Sequence, residues 1–293
     1  MISMNAIIDT QHTASAVSIG SILIDSGRLT PEAAARILEA QKEEGLRFGD
    51  AAIRLGLLTE EDVQQALSQQ YSYTYLQPGD DSVSEELVAA FRPFSPIVEQ
   101  LRALRSQLTL RWFDAEPEMH KTLAIVSPES GDGRSFVAAN LAVVFSQLGA
   151  RTLLIDADLR KPRQHELFGL SNKLGLSSVL AGRGNLDKAI TRIPGLKALS
   201  VLPAGAVPPN PQELLARLPY SSVMIDVQGH FDVVLVDTPA GNETADVQAI
   251  TARTRGALIV ARKDKTSFPG LQTLHSSLQH SGVAVVGAML NNG

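Results

Sequence analysis

The sequence predicts an α/β protein: a parallel sheet flanked by helices, preceded by a small, mainly helical duplicated domain. Three observations carry that reading. Residues 18–41 and 47–70 repeat one another without a gap. From Thr122 onward, short continuous apolar runs alternate with helix-like segments, as strands buried on both faces do. A glycine-containing loop joins the first of those runs to a helix. At 293 residues the chain is long enough for two domains.

Composition narrows the field. Apolar residues at 44% and charged residues at 19% are ordinary for a globular protein. A formal net charge of −5 speaks against a general nucleic-acid binder, so no nucleic-acid partner is expected. The absence of cysteine excludes disulfides and thiolate metal sites. The six histidines are scattered without zinc-site spacing. No apolar run approaches the roughly 18 residues of a membrane span. Residues 1–16 lack the basic region and apolar core of a secretion signal and read as a flexible leader. A cytoplasmic protein is the expectation.

The repeat at residues 17–76 comes first. At an offset of 29, Gly20 meets Gly49, Gly27 meets Gly56, Thr30 meets Thr59 and Gln41 meets Gln70. Each copy reads as a short helix, a glycine stop and a longer helix. Gly27 and Gly56 stand where a helix end needs positive φ. Thr30 and Thr59 stand where N-caps are needed. The pattern resembles the MshEN-type N-terminal domain of type II secretion and pilus ATPases. Some of those domains bind cyclic di-GMP through both copies. The resemblance implies a ligand set of Gly20, Gly27, Gln41, Arg47, Gly49, Gly56 and Gln70. Arg47 suits a phosphate or guanine edge, but the first copy has Ser18 in its place. A docking or spacer domain that binds no nucleotide is the alternative.

Tyr71, Tyr73 and Tyr75 follow, three of the chain's four tyrosines. They read as aromatic closure of the small domain or as phosphoacceptors. Residues 77–90 read as a linker running into a helix. The second domain is expected over 91–293.

In that domain the loop Ser127-Pro128-Glu129-Ser130-Gly131-Asp132-Gly133-Arg134-Ser135-Phe136 sits between a strand and a helix. Backbone amides of such a P-loop converge on phosphate, and the helix dipole adds positive potential. The usual motif is GxxxxGK[ST]. Here Pro128 holds the first glycine position and Arg134 the lysine position, while Ser135 keeps the hydroxyl expected on Mg²⁺. Two further strands end in acids: LLIDADLR with Asp156 and Asp158, and VVLVDTP with Asp237. Carboxylates gathered at one sheet edge repel unless a cation lies between them. A nucleoside triphosphate and Mg²⁺ are therefore the expected cofactors.

The full set resembles the bacterial tyrosine autokinases, and among them the EpsG-type chain-length kinases. Their marks are this loop, the hhhDxDxR motif completed here by Arg160, and hhhDTP. Glu99, Arg102 and Arg105 resemble the family's ExxRxxR oligomerisation helix, which implies a homo-oligomer. The resemblance implies that the nucleotide is ATP, held by Ser130, Gly131, Asp132, Gly133, Arg134, Ser135 and Phe136. It implies that Ser135, Asp156 and Asp237 order Mg²⁺, and that Asp156, Asp158 and Arg134 act in catalysis. It also implies a transmembrane polysaccharide chain-length (co-polymerase) partner, hence a peripheral place at the inner membrane. Within the kinase-like domain Tyr220 is a further phosphoacceptor candidate. Two rival readings remain: a ParA/MinD-type ATPase, and a non-catalytic scaffold responding to nucleotide or cyclic di-GMP.

Overall fold

The computed structural model describes residues 18–60, 62–63, 66–67, 75–76 and 79–292. The chain divides into two compact units, Met1–Thr74 and Tyr75–Gly293. Tyr71, Tyr73 and Gln70 lie outside the described residues.

The first unit carries α1 (Ile19–Asp25), α2 (Pro31–Glu44), α3 (Phe48–Arg54) and further helical residues beyond Thr59. Helix boundaries fall where the chemistry asks for them. Gly27 and Gly56 take φ of +70° and +65° in the turns after α1 and α3. The Thr30 hydroxyl accepts the Ala33 amide at 3.2 Å, satisfying a donor the helix cannot. Thr59 and Asp62 cap each other: Thr59 N donates to Asp62 at 2.9 Å and Asp62 N donates to Thr59 at 3.2 Å. The core gathers Leu23, Ile37, Ala51, Ala52 and Val63. Gly49 is buried, and a Cβ there would stand 2.6 Å from Val63.

The second unit starts earlier than the sequence suggests. Residues 77–90 read as a linker, yet Leu76, Val83, Leu87, Ala89 and Ala90 join its main core. Asn140, fully buried, accepts the Ala89 amide and donates to Glu86 O, both at 2.9 Å. Gln147 donates to Ala89 O at 2.9 Å. Buried backbone groups need such partners, and these lie in or just past a helix more than 50 residues away, where no local pattern shows them. The segment leads into α4 (Val88–Phe91), α5 (Pro96–Leu108) and a π-helical turn, Thr109–Phe113. Trp112 from that turn donates to Thr122 O at 3.0 Å and stacks on His120 with ring centroids 3.8 Å apart.

The sheet has seven strands in the order β3-β4-β2-β5-β1-β6-β7. These are β1 (Thr122–Val126), β2 (Thr152–Asp156), β3 (Thr191–Arg192), β4 (Leu199–Leu202), β5 (Val233–Asp237), β6 (Gly256–Arg262) and β7 (Ala284–Asn291). All pairings are parallel except β3 with β4, a two-residue edge absent from the sequence reading. α6 (Arg134–Ser146), buried along almost its whole length, covers one face with Leu123, Ile125, Leu154 and Leu235. The other face packs Ala124, Val126, Leu153, Ile155 and Val236 against α8 (Leu218–His230), α9 (Asp246–Thr254) and α10 (Phe268–His280). Alternate residues of each strand thus feed two cores, which explains the continuous apolar runs. β7 departs from that rule: its side chains are exposed or half-buried, as at a sheet edge. Among the described residues no helix is long and apolar enough to cross a membrane.

Adjacent parallel strands bring their C-terminal ends to one edge. Asp156 of β2 and Asp237 of β5 are register partners, and Ile125 of β1 pairs with Asp237 on its other side.

Candidate functional site

The loop after β1 reaches α6 through two left-handed glycines, Gly131 at φ +81° and Gly133 at +98°. A side-chain-bearing residue is strained there. Asp132 is fully buried and braces the turn. Its carboxylate accepts the Glu129 amide at 3.0 Å and the Thr266 hydroxyl at 2.9 Å. Glu243 accepts the Ser130 amide at 3.1 Å. Phe136 packs against the main core, which makes it a packing residue of the first turn of α6.

Arg134 is 7% exposed. Its Nε donates to Thr238 O at 2.8 Å, and its Nη1 donates to Ser127 Oγ and, at 2.9 Å, to Glu129 O. Nη2 lies 4.0 Å from Asp158. The sequence reading gave this residue the phosphate-bridging role of a lysine. The structure gives its guanidinium a bracing role, tying the loop to the end of β5.

The acids divide their work. Asp156 accepts the Asp158 amide at 3.2 Å and the Arg163 and Gln164 amides at 3.0 and 2.9 Å. It organises the turn into α7 (Gln164–Leu167), and that occupation of both oxygens weakens it as a metal ligand. Asp158 accepts the Arg160 and Lys161 amides through Oδ1 alone, at 3.1 and 2.9 Å. Asp237 accepts from Gln164 Nε2 at 2.7 Å, and the neighbouring Ser135 side chain also favours its charged form. Its Oδ1 is buried without a hydrogen-bond partner.

Burial raises the Asp156 carboxyl well above the usual range, and the neighbouring Asp237 charge raises it further. Burial raises Asp237 as well, opposed first by the Arg134 charge. Two buried, crowded carboxylates with one orphaned oxygen make a site that fits a divalent cation. Among the described residues no cluster of three or more His, Cys, Asp or Glu makes a full metal cage. Mg²⁺ asks for less: one or two protein oxygens, with phosphates and water completing the shell.

Sequence reasoning missed Gln164, which spans Asp237 and Ser135 O, the latter at 3.1 Å. It also missed Thr266 and the buried Asp246, which Arg160 grips in a fork at 2.7 and 3.1 Å. None of the three belongs to a local motif.

The remaining candidates scatter. On α5, Arg102 pairs with Glu99 at 3.2 Å and donates to the Tyr75 hydroxyl at 3.0 Å. Arg105 donates to Val144 O at 2.9 Å, so it also serves the fold of one chain. Tyr220 is fully buried, and burial pushes its hydroxyl strongly upward. It is corrected from phosphoacceptor to core residue, since no donor phosphate reaches a fully buried oxygen. In the first unit Arg47 is exposed at the start of α3, and Gln41 is half-buried. Gly20, Gly27, Gly49 and Gly56 serve turns and helix contacts there.

Fold and site together define a P-loop nucleotide-binding protein of the ParA type. The model of that family described as NUBPL iron-transfer P-loop NTPase matches residues 118–292. Tyrosine-protein kinase YwqD of Bacillus subtilis is 34% identical over 209 residues, which cover 71% of this chain and 86% of YwqD. Tyrosine-protein kinase etk of Escherichia coli is 35% identical over 204 residues, 70% of this chain but 28% of etk. Its solved kinase domain superposes with a TM-score of 0.66 at 34% identity, covering 70% of this chain and 79% of that one. The septum site-determining protein MinD from Pyrococcus horikoshii, complexed with Mg-ADP, gives a TM-score of 0.52 at 26% identity, covering 58% and 70%. The chain belongs to the bacterial tyrosine-protein kinase family. No thiolate for an iron–sulfur cargo exists in a sequence without cysteine.

Proposed function

We propose that this chain is an ATP-dependent protein-tyrosine kinase that regulates exopolysaccharide chain length and export. One observation carries the reading beyond family likeness: Asp237 Oδ1 is buried and unpartnered beside Ser135, at the foot of a phosphate loop. Such an oxygen is costly unless a cation completes it.

Bound Mg-ATP supplies the transferable phosphoryl group and the counter-charge. The chain's own residues position it. Amides from Gly131 to Ser135 hold phosphate oxygens, and the start of α6 adds the dipole. Ser135 and Asp237 hold Mg²⁺. Asp158 keeps Oδ2 clear of backbone bonds and orients or deprotonates an incoming tyrosine hydroxyl. Asp156 fixes the turn that presents Asp158. Positioning and charge neutralisation are the main demands of phosphoryl transfer.

The acceptors in this reading are Tyr71, Tyr73 and Tyr75, or a tyrosine of another protein. The 17–76 repeat acts as an MshEN-type domain, with Arg47 available to cyclic di-GMP. The α5 residues Glu99, Arg102 and Arg105 mediate self-association. The partner is a transmembrane chain-length protein, which would hold a cytoplasmic kinase at the inner membrane. A non-catalytic switch is the second reading, favoured by the bracing contacts that absorb Arg134. The ParA/MinD rival is weakened because Glu129 stands where those ATPases carry a signature lysine.

Incubation with γ-labelled Mg-ATP, with and without a cytoplasmic fragment of a membrane chain-length protein, separates the readings. Label on tyrosine supports the kinase. Free phosphate without labelled protein supports the ATPase. Nucleotide binding without either supports the switch. Calorimetry with cyclic di-GMP before and after Arg47→Ala tests the first unit: no binding heat at micromolar ligand removes its sensor role.

A further inference from the structure

The usual P-loop lysine reaches forward to bridge phosphates. Arg134 has its guanidinium taken up by Thr238 O, Ser127 Oγ and Glu129 O, with 7% exposure. Withdrawing it would leave the buried Thr238 carbonyl without its donor. Meanwhile carboxylates crowd the same loop. Glu243 accepts the Ser130 amide at 3.1 Å, and Glu129 accepts the Ser267 hydroxyl at 3.3 Å. A triphosphate entering there needs mobile positive charge from somewhere else.

The turn after β6 offers it. Lys265 Nζ donates to Ser130 O at 2.6 Å and fills the space a Cβ on Gly131 would need. Arg262 Nη1 donates to Gly131 O at 3.2 Å. Both side chains are exposed, and their loop partners are neutral carbonyls, which an anion displaces readily. The turn that carries them is itself fixed. Asp264 takes φ +58°. Thr266 accepts the Arg262 amide at 2.7 Å and donates to buried Asp132 of the loop at 2.9 Å.

We infer that Lys265, with Arg262 beside it, is the cation that grips the nucleotide's phosphates in this chain, in place of the missing loop lysine. Arg134 keeps the loop in shape, and Lys265 swings from Ser130 O to the bound anion. This rests on the nucleotide reading above and deepens it.

Calorimetry on the full chain in Mg²⁺ with a non-hydrolysable ATP analogue, and separately with inorganic pyrophosphate, tests the assignment without turnover. Lys265→Met weakens both ligands about tenfold or more and leaves the melting temperature of the ligand-free protein unchanged. Arg134→Met lowers that melting temperature instead. Lys265→Met binding within about twofold of the unsubstituted protein overturns the inference and leaves the nucleotide site standing. Weakened ATP analogue with unchanged pyrophosphate also overturns it, because the lysine then serves the nucleoside. No binding of either ligand by the unsubstituted protein takes down the nucleotide reading and this role with it.

Discussion

Arg134 Nε donates to the carbonyl of Thr238 at 2.8 Å, joining the phosphate loop to the end of β5. The two residues are far apart in sequence, yet both flank the edge where Asp237 sits. The bond makes the shape of the loop and the placement of Asp237 one structural unit.

Arg134→Met therefore unfolds at lower urea than the unsubstituted protein. The expected loss is about 2–4 kcal/mol, from the buried Thr238 carbonyl left dry and the Asp237 charge left uncompensated. Urea titration of the ligand-free protein measures it. A loss below about 0.5 kcal/mol contradicts the bracing role.

Asp156 and Asp237 both titrate higher folded than unfolded. Groups of that kind favour folding below the ordinary aspartate range near about pH 4. Their contribution is lost as pH rises through the folded value. Ligand-free stability should fall along that climb. Asp237→Asn should become the more stable form by about 1–3 kcal/mol near neutrality, while losing stabilisation by Mg-ATP. Paired urea titrations from about pH 4 to about pH 8, in chelator, report the difference. A difference that stays flat with pH counts against the crowded-carboxylate account.

Asn140 serves three backbone partners: Ala89 N, Glu86 O and Phe136 O, at 2.9, 2.9 and 3.0 Å. Asn140→Ala should cost about 2–4 kcal/mol and speed amide exchange at Ala89. Unchanged exchange there would mean that the 79–91 segment is held by its apolar contacts alone.

The Tyr220 hydroxyl is buried with no hydrogen-bond partner. Tyr220→Phe should leave tyrosine labelling intact and raise stability by up to about 1 kcal/mol. Loss of the label in a folded variant would restore Tyr220 as an acceptor.

The sheet was legible because β1, β2 and β5 feed cores on both faces, so their apolar runs carry no helical period to confuse them. Asp156 and Asp237 were legible because each directly follows such a run. β3, with two exposed residues, has no pattern to read. The bracing role of Arg134 and the contributions of Gln164, Thr266 and Asn140 depend on neighbours 29 to 134 residues away. A local reading sees a substituted lysine; only the packed chain shows what the guanidinium grips. The 77–90 segment looked like a linker because its turn residues are real, while its apolar positions find their core in α6.

Transfer of the γ-phosphoryl group from labelled ATP to tyrosine, compared between the unsubstituted chain and an Asp156→Asn, Asp158→Asn variant shown to bind ATP, tests the central claim most directly. The account predicts labelled phosphotyrosine from the first and none from the second. Full labelling by the variant would contradict the roles assigned to these aspartates, and absence of label from both, with the membrane partner's fragment present, would contradict the kinase itself.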